Sequence, residues 1–334
     1  MRSTLIDILA CPKCRSVERL RITAEKEVDV DVIEGSLICP SCNAEFAIRG
    51  GVPRFVAAGE DYCANFGFQW REWKETQIDR LAGHRLSTGR FFYDTGWDPS
   101  WLNGKLVLDA GCGAGRFADV AAAHGARVIA CDISDAVDAC REVTAVHGDK
   151  VECVQASLFD LPLREGSFDA VYCIGVIQHT PDPEAVITGL PRFLKPAGRL
   201  AYNFYEEGLW RRLQIVKYAL RLVTPHLPVP WTLALSKSLV AVFFPLTRFL
   251  SPIRKVRILN HFIPIAAVHE PSLNRDQQYA WTLLDTFDWY GARYEKRQHH
   301  ARVAETLRDK GLLDVKSRPG IVTATANSPG DRKA

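Results

Sequence analysis

The chain has 334 residues, 47% of them hydrophobic and 24% charged, which excludes a disordered, collagen-like or low-complexity protein and suits two or three domains of ordinary size. Its 42 Lys/Arg and 39 Asp/Glu leave a net charge of +3, too small for a dedicated polyanion binder. The balance is uneven along the chain. Residues 1–207 carry 22 basic and 30 acidic side chains, residues 208–303 carry 14 and 5, and residues 304–334 carry 6 and 4.

The opening stretch MRSTLIDILA is interrupted by Arg2 and Asp7 and lacks the continuous apolar run of a secretory signal. A reducing, cytoplasmic setting is expected, because six of the ten cysteines (Cys63, Cys112, Cys131, Cys140, Cys153 and Cys173) stand singly and read as small buried hydrophobes. The other four form two knuckles, Cys11-x2-Cys14 and Cys39-x2-Cys42. Two such turns can converge four thiolates on one tetrahedral zinc ion. A redox dithiol would instead need a single pair beside a βαβ pattern. With all four positions filled by thiolates, no coordination site stays open, so the ion is expected to be structural. The intervening RLRITAEKEVDVDVIEGSLI alternates like strands, and residues 1–57 read as a zinc ribbon too small to be stable without a staple.

The runs LIDILACPKC and GSLICPSCNAEFAIRGGVPRFV, with Ile48, Arg49, Gly50, Gly51, Val52 and Pro53 closing the module, resemble the Trm112-like family. The resemblance implies a module that supports methyltransferases and, when fused, packs on its own partner domain.

Residues 58–103 read as an aromatic connector containing FGFQWREW and ending in the turn Asn103-Gly104. LVLDA then suits a buried parallel strand, and Gly111, Gly113 and Gly115 form a turn into the helical pattern RFADVAAAHG. RVIAC, a second apolar strand, ends at Asp132. A glycine turn of this kind lets backbone approach a ligand closely, and a carboxylate ending the second strand can accept ribose hydroxyls. The spacing D-x-G-x-G-x-G from Asp109, continued through residues 154–205, resembles class I S-adenosylmethionine-dependent methyltransferases of type 11.

That resemblance implies an α/β Rossmann-like core, residues 104–205 and 300–327, with a seven-stranded, mostly parallel sheet. It further implies that Asp109, Gly111, Gly113 and Gly115 surround the methionine moiety of S-adenosylmethionine, that Asp132 meets the ribose, and that Ser157 and Leu158 meet the adenine. Ile174 and Gly175 line the reactive end. His179, in the loop GVIQHTPDP, is the candidate base, since that loop faces the transferred methyl and imidazole titrates near neutral pH. Tyr205 is a second candidate, with Asp285, His299 and His300 behind it.

Residues 301–311 read as an amphipathic helix followed by two strands, which complete the sheet. Residues 206–299 are then a helical insertion beside the carboxyl ends of the strands, where substrates bind in open α/β sheets. Its many prolines predict short helices with sharp breaks. Within it, WTLALSKSLVAVFFPLTRFL has the length of a membrane span, but Lys237, Pro245 and Arg248 favour a buried or interfacial helix, which admits peripheral membrane contact. Residues 328–334 read as a frayed, disordered tail.

The basic excess of the insert suits a small sugar- or lipid-like anionic acceptor. An RNA acceptor, gripped by ribbon and insert, and a catalytically silent cofactor-binding scaffold are the alternatives. The acidic balance of residues 1–207 opposes the RNA reading.

Overall fold

The structure is a computed structural model, and it describes residues 1–16, 18–56, 64–208, 214–253 and 257–327. The expectations for Cys63 and residues 328–334, and part of the basic excess of the insert (Arg211, Arg212, Arg254 and Lys255), therefore lie outside the described residues. In chain order the strands and helices are β1 (Arg21–Val28), β2 (Asp31–Ile38), β3 (Glu45–Arg49), β4 (Val52–Pro53), α1 (Ala64–Glu72), α2 (Asp79–Ala82) and α3 (Leu86–Thr95). There follow β5 (Leu106–Ala110), α4 (Arg116–Ala123), β6 (Arg127–Asp132), α5 (Ala136–Thr144), β7 (Val151–Gln155), β8 (Phe168–Ile174), α6 (Pro183–Gly189) and β9 (Leu194–Asn203). The chain ends with α7 (Ile215–Leu220), α8 (Val229–Leu250), α9 (Arg275–Gly291), α10 (His300–Asp309), β10 (Leu313–Arg318) and β11 (Ile321–Thr325).

Two compact units result. One contains Met1–Asp61, Ser87–Glu206 and Lys296–Ala334; the other contains Tyr62–Leu86 and Glu207–Glu295. The stretch expected to be a connector, 58–103, divides between them, with residues 62–86 in the second unit and residues 87–103 in the first.

The first unit holds a seven-stranded sheet in the order β10-β11-β9-β8-β5-β6-β7. β7, β6, β5, β8 and β9 run parallel, while β11 is antiparallel to both β9 and β10. LVLDA is buried along nearly its whole length, as a central parallel strand with helices on both faces requires. The strand reversal places β5 between β6 and β8, and the crevice outside its carboxyl end is the switch point where such sheets bind ligands.

The ribbon, β1 to β4, is a separate antiparallel sheet, but its apolar side chains do not form a separate core. Leu9, Leu37 and Ile48 share one buried cluster with Val154, Leu161 and Leu163 of the sheet domain. Main-chain bonds reinforce the junction: Ala10 N–H donates to Pro162 O at 2.9 Å, Arg164 N–H to Ile8 O at 2.8 Å and Phe55 N–H to Gln155 O at 2.8 Å. Arg54 pairs in parallel with Gln155 at the end of β7, so the ribbon covers what would otherwise be an open sheet edge.

The second unit departs from the expectation of short broken helices. α8 runs uninterrupted for 22 residues through Pro245. Proline removes one amide donor, but Pro245 and Ala241, whose carbonyl loses that donor, are both exposed. Water can satisfy the free carbonyl, so the helix continues. Behind α8, Phe68, Trp73 and Phe287 form an aromatic cluster with centroids 5.6–6.4 Å apart, which is where part of the aromatic stretch 66–73 is used.

Candidate functional site

The glycine turn between β5 and α4 is closed by main-chain bonds from Gly111 and Cys112 N–H to Cys131 O, at 2.7 and 2.9 Å. Gly111, Gly113 and Gly115 all take positive φ (+90°, +51° and +86°), the left-handed region open to glycine. Two of these glycines also answer to packing. A Cβ on Gly111 would lie 2.5 Å from Val176 Cγ2, and one on Gly115 would lie 2.8 Å from Cys140 Sγ.

Asp132 ends β6 and organises the turn. Its Oδ2 accepts from Gly113 N–H at 3.0 Å, and its Oδ1 accepts from Ser134 N–H at 2.9 Å and from the Ser134 hydroxyl at 2.7 Å. Each carboxylate oxygen has two lone pairs, so one remains on Oδ2 for a ligand hydroxyl. On the next position of the sequence pattern, Ser157 Oγ accepts from Phe159 N–H at 3.3 Å, and Leu158 is buried.

Asp109 is 2% exposed, and its Oδ2 has no hydrogen-bond partner. Burial pushes its carboxyl up to about 8, with the Tyr172 hydroxyl pulling the other way and Asp132 adding to the rise. A carboxyl with a raised folded-state pKa favours folding fully below its unfolded pKa and loses that contribution as pH rises through the folded value. We expect the thermal midpoint of the cofactor-free protein to fall between about pH 4 and pH 8 relative to the Asp109→Asn variant. Parallel midpoint-against-pH curves for the two proteins would remove this assignment.

At the end of β8, Ile174 is buried and Gly175 takes φ +75°. The loop that follows is held by Gln178, a fully buried side chain not singled out in the sequence. Its Nε2 donates to Gly175 O at 2.8 Å, its Oε1 accepts from Tyr205 N–H at 3.3 Å, and its carbonyl accepts from Lys296 N–H at 2.7 Å. His179 is 7% exposed, and its ring stands edge-on to Tyr205 with centroids 5.4 Å apart. The Arg297 guanidinium lies 5.5 Å from the Tyr205 ring centre, and Lys296 Nζ donates to Pro181 O at 2.5 Å.

Arg90 on α3 is a second residue that sequence reading missed. Its guanidinium donates to Asn203 Oδ1 at 3.1 Å and Asp94 Oδ2 at 3.3 Å and lies 3.8 Å from where a Gly175 Cβ would be. The amphipathic pattern LSTGRFFYDT is the signal in the sequence for this helix.

His299 and His300 stack at 4.9 Å beside Glu206. Glu206 accepts from Gly320 N–H at 2.7 Å and from His300 Nδ1 at 2.9 Å, tying α10 and the β10–β11 hairpin to the end of β9. Asp285 falls on α9, in the second unit.

The four knuckle thiols do come together. Cys11 Sγ lies 3.7 Å from Cys42 Sγ, Cys14 Sγ lies 3.6 Å from Cys39 Sγ, and all four ligand atoms fall within 4.8 Å of one another. A tetrahedral zinc ion with bonds of about 2.3 Å sets its sulfurs about 3.8 Å apart, so this donor set fits. The two knuckles repeat each other: Arg15 N–H donates to Cys11 O and Asn43 N–H to Cys39 O, both at 2.9 Å, and Arg15 and Asn43 both take positive φ.

The sheet order and the acid-flanked glycine turn define a Rossmann-like fold of the kind that binds S-adenosylmethionine. In agreement, residues 108–202 match the family described as Methyltransferase domain (type 11), and residues 2–51 match the family described as Trm112p-like protein. Each match covers less than half of the chain, the first lying in the sheet domain and the second in the ribbon. The chain is similar to the ubiquinone biosynthesis O-methyltransferase of Xanthomonas oryzae pv. oryzae, 39% identical over 104 residues, which are 30% of this chain and 42% of that one. The enzyme of the same name from Dechloromonas aromatica is 37% identical over 101 residues, 30% of this chain and 44% of that one. The chain spans less than half the length of these curated relatives. Among solved structures, magnesium protoporphyrin IX methyltransferase from Synechocystis PCC 6803 aligns with TM-score 0.43 at 18% identity, over 80% of this chain and 97% of that one. The 1,6-didemethyltoxoflavin-N1-methyltransferase of Burkholderia thailandensis aligns with TM-score 0.42 at 16% identity, over 92% and 100%.

Proposed function

We propose that the protein is an S-adenosylmethionine-dependent methyltransferase acting on a small, sugar- or lipid-like, anionic acceptor in a reducing, cytoplasmic setting. The observation that carries this reading is the pair Asp109 and Asp132 at the carboxyl ends of adjacent parallel strands, with Asp132 fixing Gly113 N–H at 3.0 Å. When bound, S-adenosylmethionine supplies a methyl group on a cationic sulfur, which a nucleophile displaces in line. The chain's own residues then have to hold both reactants, exclude water and take a proton when the nucleophile is a hydroxyl.

Asp132 meets the ribose through its remaining lone pair, Leu158 walls the adenine side, and Ile174 and Gly175 border the sulfur. Arg90, beside Gly175, is placed to pair with the carboxylate of the methionine moiety. His179 takes the acceptor proton, with Tyr205 against its ring and Gln178 fixing the loop. An anionic acceptor is supported by Arg297 and Lys296, which lie against Tyr205 and the His179 loop respectively.

The zinc module acts by structure rather than chemistry, since its four positions are all thiolates. In the His179→Ala variant we expect turnover to fall by about 10²- to 10⁴-fold, while S-adenosylmethionine binding, read by calorimetry, stays within a factor of about three. Full turnover in that variant would remove His179 from the reaction. Absence of S-adenosylmethionine binding by the wild-type chain would overturn the whole reading.

A further inference from the structure

α8 is built inside out for a water-soluble helix. Its buried stripe, Thr232, Ser236, Val240, Phe244 and Thr247, is largely polar or small, whereas Trp231, Val242 and Phe249 are 70%, 67% and 70% exposed. At 100° per residue, these three large apolar side chains fall within about 20° of one another, and Leu246 lies on their flank. Trp231 and Phe249 are 18 positions apart, so the apolar line runs for about 27 Å. Leu222, Val223 and Ile253, on either side of α8 in sequence, are also exposed. An exposed apolar line of this length along one helix face marks an interaction site rather than ordinary surface.

Charge identifies the occupant. Residues 208–269 contain nine Lys/Arg and no Asp/Glu. Lys217 and Arg221 are consumed internally, their nitrogens 2.8 and 3.7 Å from the buried Glu295 carboxylate. Arg248 donates to Gln278 Oε1 on α9 at 2.9 Å, whereas Lys237 is exposed and stands about 120° round the wheel from the apolar line. Arg254, Lys255 and Arg257 follow the helix directly in sequence. An apolar ridge on a segment rich in cations and free of acids matches an anionic bilayer surface.

The helix is also long and apolar enough to cross a membrane, but its opposite face packs on α9. Val240 and Phe244 share a buried cluster with Leu283, and the Phe244 and Tyr279 rings meet edge-on at 5.3 Å. α9 carries Arg275, Asp276, Asp285 and Asp288, charges too costly to bring into hydrocarbon. From this geometry we infer that α8 lies in the plane of an anionic lipid surface, with Trp231, Val242 and Phe249 inserted, and docks the chain peripherally. The inference concerns the second unit alone and does not depend on the methyl-transfer reading.

The test is co-sedimentation of the full-length protein with sucrose-loaded vesicles, either of phosphatidylcholine alone or with about one-third phosphatidylglycerol. We expect binding to the anionic vesicles and little to the neutral ones. Binding should fall about tenfold in Trp231→Ser/Phe249→Ser and also in Lys237→Glu. Because these side chains are exposed, near-ultraviolet circular dichroism should match wild type, and Val242→Glu serves as the second variant if it does not. No pelleting with anionic vesicles, or equal pelleting of wild type and variants, would overturn the inference. Bound protein that resists alkaline carbonate would overturn it in favour of a span. A dimer that dissociates in the variant without any vesicle binding would instead assign the face to a second copy of the chain.

Discussion

Replacing Gly111 with alanine is expected to lower the thermal midpoint by about 5–15 °C and to weaken S-adenosylmethionine binding at least about tenfold. Two separate costs combine. At φ +90° any L side chain is strained by about 1–2 kcal/mol, and the new methyl would sit 2.5–2.6 Å from both Val176 γ-carbons, an overpacking that typically costs about 1–3 kcal/mol. The backbone must shift to relieve the clash, and that backbone leads to Gly113, whose N–H is bound to Asp132. Gly111→Ala combined with Val176→Ala should recover part of the midpoint, because only the steric cost is removed. A double variant no more stable than Gly111→Ala would show that the clash plays no part.

The second large effect concerns the zinc module. Cys39→Ser should abolish zinc binding at the four-cysteine site and leave the chain largely insoluble or unfolded at 37 °C. Structural zinc contributes roughly 10–16 kcal/mol in isolated fingers, comparable to the whole stability of a typical domain, about 5–15 kcal/mol. Here the loss would spread, since Cys11 and Cys39 lie in the same buried cluster as Val154, Leu161 and Phe168. Metal analysis with a mercurial titration of the wild-type protein provides the check without relying on a folded variant. Zinc release should track loss of the cooperative unfolding transition of the sheet domain. A zinc-free chain with an unchanged midpoint would show that the ribbon stands without its ion.

Much of the site was legible because its residues are close in sequence. The two knuckles, the Asp109 to Gly115 turn and Asp132 are short-range patterns in which turn geometry and side-chain chemistry occur together. Arg90 and Gln178 were not legible, because each acts through partners far along the chain: Arg90 through Asn203 and the Gly175 backbone, Gln178 through Tyr205 and Lys296. Pro245 misled for a related reason. A proline costs a helix less where the freed carbonyl can reach water, and exposure is not encoded locally.

By itself the sequence determined the zinc-ligand set, the glycine turn with its two acids, the strand inventory of the sheet and the concentration of positive charge in residues 208–303. The tertiary structure alone decided which neighbours those features meet. Gly111 and Gly115 appeared to be needed only for a ligand's approach, yet each also makes room for a side chain, Val176 or Cys140. The ribbon, a module by sequence, shares its core with the sheet and covers the edge of β7. The apolar stretch 229–250, ambiguous between core and interface, divides: Val240 and Phe244 pack against α9, while Trp231, Val242 and Phe249 face outward. The reason is common to all three: covalent spacing fixes local geometry, but burial depends on surfaces brought together from distant parts of the chain.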